Sequence, residues 1–190
     1  MSRQTKYTPD QLTPEQREQY EVFQKTRKVR ADGMMGGPFD PWLLNAELFQ
    51  RLYSLAGMLW NRTSLDRGLV ELAISITGKV YEANVEWTAH APRAVEYGIP
   101  QDVMDTILKG ERPVQASPDQ LLMYDVSMAL LVGHLLPKPL YDRAVATWGE
   151  RGVVEITAVI GFYVLTSMSL NAFEVQVGPG QVTPFPRSDA

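Results

Sequence analysis

The chain has 190 residues, of which 45% are hydrophobic and 21% are charged, and its formal net charge at pH 7 is −4. This length accommodates one domain with a substantial hydrophobic core. Because the chain contains no cysteine, it cannot form disulfides, a thiolate nucleophile or a thiolate metal site. It has only two histidines, and no residue spacing typical of metal ligands occurs.

The distribution of charge and hydropathy limits the partners further. The basic residues are scattered, without the basic face that nucleic-acid binding requires, so we expect no nucleic-acid partner. The first thirty residues are polar and lack the apolar segment of a secretory signal, so we expect a cytoplasmic protein. Residues 153–170 are apolar but are interrupted by a glutamate and several hydroxyl side chains. We interpret them as a buried central helix and expect no membrane partner.

Helical periodicity dominates the chain and alternating β-branched runs are absent, which predicts an all-α fold. A capping box formed by Thr13 and Gln16, with Pro14 at the first helical position, predicts a helix over 14–28 within an N-terminal arm, residues 1–30. The Gly-rich segment 31–41 is predicted to be a loop that either lines a pocket or only connects two helices.

The main helical domain is predicted over residues 31–177. A leucine stripe predicts one helix over 42–60. Apolar periodicity with Gly or Pro stops predicts further helices over residues 64–77, 80–97, 101–109, 118–136, 139–148 and 153–175, followed by a flexible tail over 178–190. Ser117 and Gln120 form a second predicted capping box, at the start of the helix over 118–136.

A short internal similarity links two of these helices. The segment Arg67–Ala73, RGLVELA, is matched by Arg151–Thr157, RGVVEIT, and each copy opens an apolar helix. The similarity is consistent with a duplicated helical unit, with chance as the alternative.

The candidate catalytic residues are Glu71, Glu86 and His90. Spacings of four place Glu82, Glu86 and His90 along one helical stripe, where a carboxylate one turn before an imidazole can orient the ring and favour its charged form. The alternative is a solvated helix face with weak ion pairs. Glu71 interrupts a run suited to burial and therefore needs a partner, for which Arg67 is the nearest candidate.

Several segments together resemble the carboxymuconolactone decarboxylase family, which includes the alkylhydroperoxidase D type proteins. The resemblance rests on Asp32–Gly33, Gly37–Phe39, Leu65–Ile74, Tyr81–Glu82, Glu86–His90 and 153–173. It covers about Asp32 to Val177 and implies an all-helical fold that assembles into homotrimers or hexamers.

In the peroxidase branch of this family, a relay glutamate is followed after 12 and 15 residues by redox cysteines and after 19 residues by a histidine. Counted from Glu71, these positions are Ala83, Glu86 and His90. The glutamate and the histidine are present, but both cysteines are missing. The thiol peroxidase mechanism of the family is therefore excluded.

The leading hypothesis is a cofactor-independent carboxy-lyase of the decarboxylase type, acting on a small carboxylated lactone or unsaturated acid in the catabolism of aromatic compounds. His90 would supply a proton, Glu86 would orient or recharge it, and Glu71 would act as a relay. The residue types suggest the following substrate-binding side chains: Arg67, Arg51, Glu82, Met34, Phe39, Trp42 and Trp87. For the last four, the alternative is ordinary packing in the core.

Two other functions remain open at this level. The same residues would serve a proton-transfer isomerase, hydratase or cyclase acting on a more apolar substrate. The second of these functions is that of a non-catalytic helical oligomer that binds a small molecule. The sequence leaves open whether the pocket lies within one chain or between subunits.

Overall fold

A computed structural model describes residues 2–178 and 180–186, and within these ranges the chain forms eight α-helices and no β-strand. The predicted all-α class is therefore confirmed. The helices are α1 (Pro14–Thr26), α2 (Phe39–Leu43), α3 (Ala46–Asn61), α4 (Arg67–Val80), α5 (Asn84–Glu96), α6 (Gln101–Leu108), α7 (Pro118–Leu131) and α8 (Lys138–Ala172).

The predicted helix starts that depend on local caps are confirmed. The Thr13 hydroxyl accepts from the backbone N–H of Gln16, whose side chain in turn accepts from the backbone N–H of Thr13. Ser117 and Gln120 form the same reciprocal pair at the start of α7. Each box satisfies N–H groups that a helix start leaves unpaired, so a few neighbouring residues set the boundary.

Two predicted helices differ from the observed ones in their first residues. The helix predicted over 42–60 is divided, because Asn45 leaves the helical conformation and its side chain caps α3 through the N–H of Leu48. The helix predicted from residue 80 begins instead at Asn84, after a turn in which Glu82 has a φ of 49°. This turn closes through a hydrogen bond from the Ala83 N–H to the Gly78 carbonyl.

Helix α8 joins the last two predicted helices. Its two halves meet at Gly149, whose φ of 70° produces a kink and favours glycine. Among the described residues, α8 alone is long and apolar enough to cross a bilayer by length and composition. It packs against α4 and α7, but only 44% of its apolar stretch is buried, and Val154 and Met168 are exposed. The burial predicted for residues 153–170 is therefore partial.

Helix α4 is the centre of the fold. Every residue from Gly68 to Gly78 is buried, and α4 packs against α5, α7 and α8. Gly78 allows a close approach to α5, since a Cβ atom there would lie 3.1 Å from the Cβ of Glu86. The core thereby holds the polar side chains of α4 and α5 in contact.

Both ends of the chain pack on this core. In the N-terminal arm, Tyr20 and Phe23 are buried in the same hydrophobic cluster as α4. The predicted flexible tail falls partly on 179 and 187–190, which lie outside the described residues. In its described part, Phe185 is buried against Trp87, and its backbone hydrogen bonds with the Asn84 side chain.

Candidate active site

Three predicted catalytic side chains meet where α4 packs against α5. Oε2 of Glu71 lies 2.6 Å from Nδ1 of His90, and Nε2 of His90 lies 3.2 Å from Oε2 of Glu86. All three residues are buried, with Glu71 fully inaccessible. Because an ionised carboxylate only accepts hydrogen bonds, Nδ1 of His90 carries a proton, and Nε2, which faces Glu86, is protonated in addition when the ring is charged.

The second carboxylate oxygen of Glu71 is also satisfied. It accepts a hydrogen bond of 3.1 Å from the Trp60 indole N–H and forms a close ion pair with Arg67. Arg67 donates in addition to the backbone carbonyl of Trp60, at 2.6 Å. Glu71 thus has three donors, which accounts for a fully buried carboxylate.

This arrangement favours the charged forms of Glu71 and His90. Burial alone would raise the pKa of Glu71 and lower the pKa of His90. For Glu71, the hydrogen bond and charge of His90 and the charge of Arg67 outweigh burial, so its pKa lies below the ordinary 4.5. For His90, Glu71 and Glu86 outweigh burial, so its pKa lies above the ordinary 6.5.

Glu86 has the least satisfied side chain of the cluster. It is 4% exposed, and no described residue makes a well-aligned hydrogen bond to its Oε2. The contact with Nε2 of His90 has the distance of an ion pair but not the alignment of a hydrogen bond. A buried oxygen left in this way is available to a ligand group.

A cavity of ≈160 Å³ lies against His90 and Glu86. Its aromatic walls are Phe39, Trp42, Trp60, Phe162 and Tyr163. The ionisable side chains that line the cavity are those of His90, Glu86, Arg27, Arg93 and Tyr163. An apolar protein cavity of about 150 Å³ holds benzene, so this space suits a molecule with a single ring.

Tyr163 completes the wall beside the imidazole. Its ring centroid lies 5.1 Å from that of His90, with the planes at 81°. Burial, followed by the charges of Glu86 and Glu71, raises the pKa of Tyr163. The phenol therefore stays neutral at physiological pH and can donate a hydrogen bond.

Asp40 holds the glycine-rich loop against this cavity. Its carboxylate accepts from the backbone N–H groups of Met35, at 2.8 Å, and Gly36, at 2.6 Å, and from the Tyr7 hydroxyl, at 2.7 Å. The loop contributes Gly37, Pro38 and Phe39 to the cavity. Of the two roles predicted for segment 31–41, the structure therefore shows the lining of a pocket.

Of the predicted substrate-binding residues, Phe39 and Trp42 line the cavity and the other five do not. Arg67 is engaged by Glu71 and the Trp60 carbonyl, which gives it a positioning role. Arg51 is exposed and lies 3.4 Å from Glu47, because its face of α3 points away from the core.

The remaining three predicted residues are displaced by local geometry. Glu82 is exposed in the turn before α5, so it does not share the stripe of Glu86 and His90. Trp87 follows Glu86 and therefore points about 100° around the helix, where it packs on Phe185. Met34 is buried outside the cavity lining.

Arg27, Trp60, Arg93 and Tyr163 are residues of the site that sequence reasoning missed. Arg93 follows His90 by three positions, so extension of the helical stripe beyond His90 would have found it. Arg27 comes from the end of the N-terminal arm, and no local pattern connects it with α5. Among residues 2–178 and 180–186, no group of three or more potential metal ligands is arranged to hold an ion.

The sequence matches no protein-family model and no curated protein. Solved structures are similar in fold. An uncharacterized peroxidase-related protein from Silicibacter sp. TM1040 superposes with a TM-score of 0.71 at 15% identity, covering 94% of this chain and 92% of that one.

A second neighbour is described as an alkylhydroperoxidase AhpD core, an uncharacterized peroxidase-related protein from Ralstonia eutropha JMP134. It has a TM-score of 0.73 at 16% identity and covers 94% of this chain and 93% of that one. At these identities the comparison concerns the fold. The chain therefore has the alkylhydroperoxidase D-like helical fold, as the resemblance implied.

Proposed function

We propose that this protein is an acid–base enzyme of the carboxy-lyase type, which decarboxylates a small carboxylated lactone or unsaturated acid. The observation that carries the proposal is the imidazole of His90, held between Glu71 and Glu86 at the wall of a ring-sized cavity. A perturbed titratable group in such a cavity is typical of a catalytic acid or base.

The chemistry requires one proton and a place for an electron pair. When the bond from carbon to the carboxylate breaks, carbon dioxide leaves and the electron pair passes to the conjugated carbonyl of the substrate. His90 then donates its Nε2 proton to the carbon, and a proton from water returns to the ring by way of the Glu86 carboxylate, 3.2 Å from Nε2. We assign the hydrogen bond to the developing oxyanion to the neutral phenol of Tyr163, whose ring lies beside that of His90.

Glu71 and Arg67 act through His90 as positioning residues. The hydrogen bond from Nδ1 to Glu71 fixes the orientation of the ring and supports its charged form. Arg67 and Trp60 hold Glu71 in turn. These contacts favour the charged form of the proton donor.

The missing cysteines support acid–base chemistry in place of thiol chemistry. By the family resemblance, the redox cysteines would occupy positions 83 and 86, which carry alanine and glutamate. Glu86 thus lies one helical turn from His90, where the resemblance to the peroxidase branch would place a thiol.

The test is turnover of carboxymuconolactone, followed by loss of lactone absorbance and release of carbon dioxide. We expect His90→Asn and Glu86→Gln to reduce kcat by about 10²- to 10⁴-fold, the range of one positioned acid or base. Glu155→Gln is the matched control, because it removes a glutamate charge outside the cavity and should leave kcat unchanged.

Solvent deuterium separates decarboxylation from other proton transfers. Decarboxylation in heavy water places one deuterium on the carbon that lost the carboxylate. Deuterium exchange without carbon dioxide would replace the decarboxylase with an isomerase. A folded native protein that shows neither carbon dioxide release nor exchange refutes the proposal.

Glu71→Gln tests the positioning role separately. Loss of this carboxylate removes the hydrogen bond that raises the pKa of His90 most. Because the proton donor must be charged, we expect the alkaline limb of kcat/KM to move to lower pH. An unchanged limb would show that Glu71 does not control the protonation of His90.

A further inference from the structure

The cavity contains two cations without a counter-charge. Among the described residues, neither Arg27 nor Arg93 lies within ion-pair distance of a carboxylate. Both side chains are partly buried and line the same space as His90. Moving a charge out of water costs free energy that an ion pair can offset, so the position of these two cations needs another physical explanation.

The two guanidinium groups are held by one indole ring. The guanidinium carbon of Arg27 lies 5.1 Å from the ring centroid of Trp60 and 5.0 Å from that of Phe39. The guanidinium carbon of Arg93 lies 4.9 Å from the same Trp60 centroid. Stacking on aromatic faces orients these groups while leaving their N–H donors free for a planar anion.

This arrangement concentrates positive charge. Both guanidinium carbons lie about 5 Å from one centroid, so they are at most about 10 Å apart, within about one Debye length. Arg67 also stacks on Trp60, but Glu71 neutralises it. Arg27 and Arg93 therefore repel each other, and a bound anion would remove this repulsion.

The other charges of the cavity do not satisfy the pair. Glu86 is the one carboxylate in its described lining, and its charged neighbour is His90. With His90 protonated, the lining carries three positive charges against one negative charge. The cavity is thus electropositive although the whole chain has a net charge of −4.

We propose that Arg27 and Arg93 form an anion-binding subsite that anchors the carboxylate of a flat aromatic or unsaturated acid. The ring of this ligand lies against the aromatic walls of the cavity, and its carboxylate accepts N–H donors from both guanidinium groups. The identification of this ligand with the substrate rests on the proposed function. The subsite itself is a property of binding and is tested as such.

The subsite constrains the reaction at His90. Two guanidinium groups stabilise a carboxylate, whereas carbon dioxide is uncharged and gains nothing from them. A carboxylate held there remains on the ligand and serves as an anchor. The bond that breaks lies elsewhere on the ligand, within reach of His90 and Glu86.

The surface outside the cavity continues the positive charge. A shallow depression of ≈450 Å³ shares Arg27 and Phe39 with the cavity and adds Lys28 and Arg30. Neither of these added cations has an ion-pair partner among the described residues. Cations around a cavity mouth raise the local concentration of an anionic ligand.

The experiment uses benzoate as the probe, with titration calorimetry on the native protein and its variants. We expect benzoate to bind to the native protein and benzamide, which has the same ring without the charge, to bind at least tenfold more weakly. Arg27→Gln and Arg93→Gln should each weaken benzoate about ten- to a hundredfold, the effect of one charged hydrogen bond. Arg51→Gln is the matched control and should bind as the native protein does.

Several results would overturn the subsite. These are absence of benzoate binding to the native protein, equal affinities for benzoate and benzamide, and native affinity in Arg27→Gln. Inorganic phosphate that competes as strongly as benzoate would overturn the preference for a flat acid. Circular dichroism melts confirm folding, and Arg27→Lys, which keeps the charge, should recover part of the affinity.

Failure of the subsite is distinguishable from failure of the proposed function. His90→Asn should retain benzoate binding while it loses turnover. Benzoate binding without any turnover of lactone would leave the subsite standing and remove the decarboxylase. Turnover that persists at native KM in Arg27→Gln and Arg93→Gln would leave the decarboxylase standing and remove the subsite.

Discussion

The substitution Glu71→Gln tests how strongly the buried charge network stabilises the fold. The amide keeps the shape of the side chain and an oxygen that can accept from the Trp60 indole. It removes the negative charge shared by Arg67 and His90, whose side chains are 22% and 9% exposed. Both cations then remain in the protein with less compensation.

The magnitude follows from burial. Removal of one partner from a buried ion pair costs about 3–5 kcal/mol. Arg67 is partly solvated, and His90 can release its proton and retains Glu86, so we expect a loss of about 2–3 kcal/mol in the free energy of unfolding. Urea unfolding followed by circular dichroism at pH 6.5 and constant protein concentration measures this loss.

The chain contains a matched control in its internal similarity. Glu155 pairs with Arg151 at the same spacing as Glu71 with Arg67, but the Arg151 side chain is 73% exposed. Solvent screens that pair, and the amide oxygen of Glu155→Gln can still accept from the backbone N–H and the hydroxyl of Ser64. We therefore expect a loss of about 1 kcal/mol in this variant, smaller than the loss in Glu71→Gln. Equal losses in the two variants would refute the argument that burial makes the Glu71 network strong.

The remaining expectations concern pH and packing. Because its pKa is lowered, Glu71 contributes stability that is fully present above pH 4.5 and is lost as pH falls through its folded pKa. His90, whose pKa is raised, contributes stability that is fully present below pH 6.5 and is lost as pH rises through its folded pKa. The difference in unfolding free energy between native protein and Glu71→Gln should therefore be largest between pH 4.5 and 6.5, and a difference that grows above pH 8 would contradict this. Gly78→Ala places a methyl group 3.1 Å from the Cβ of Glu86, so we expect a lower thermal midpoint and lower activity. Gly57→Ala, with nothing within 4 Å, should instead raise the midpoint by the helix propensity of alanine, and equal shifts in the two variants would show that the α4–α5 contact is not tight.

Sequence reasoning located the titratable side chains of the candidate site better than the walls of its cavity. Glu86 lies one turn from His90, as the spacing of four predicts, and the buried Glu71 pairs with Arg67, the partner expected for it, and in addition with His90. The same spacing argument was wrong for Glu82, because it assumed that the helix continued through residue 82. The turn before α5 depends on the close packing of Gly78 against α5 and on the hydrogen bond from the Ala83 N–H to the Gly78 carbonyl. The periodicity of apolar residues in the sequence contains no information on either contact.

The choice of arginines shows the same limit. Arg67 was a reasonable candidate for an anionic substrate until the structure showed that Glu71 and the Trp60 carbonyl occupy it. Arg27 and Arg93, which do line the cavity, come from the N-terminal arm and from α5. Both stack on a tryptophan at the end of α3, a contact between three distant segments.

The sequence by itself determined the all-α class, the capped starts of α1 and α7, the absence of thiol chemistry and the need of Glu71 for a partner. These properties depend on composition or on interactions between residues a few positions apart, so local rules suffice. The tertiary structure alone decided that His90 is the residue that faces Glu71 across 19 positions, and that Arg27 and Arg93 share one indole ring. The physical reason is that these contacts follow from how the helices pack, and packing is set by the shapes of all the buried side chains together.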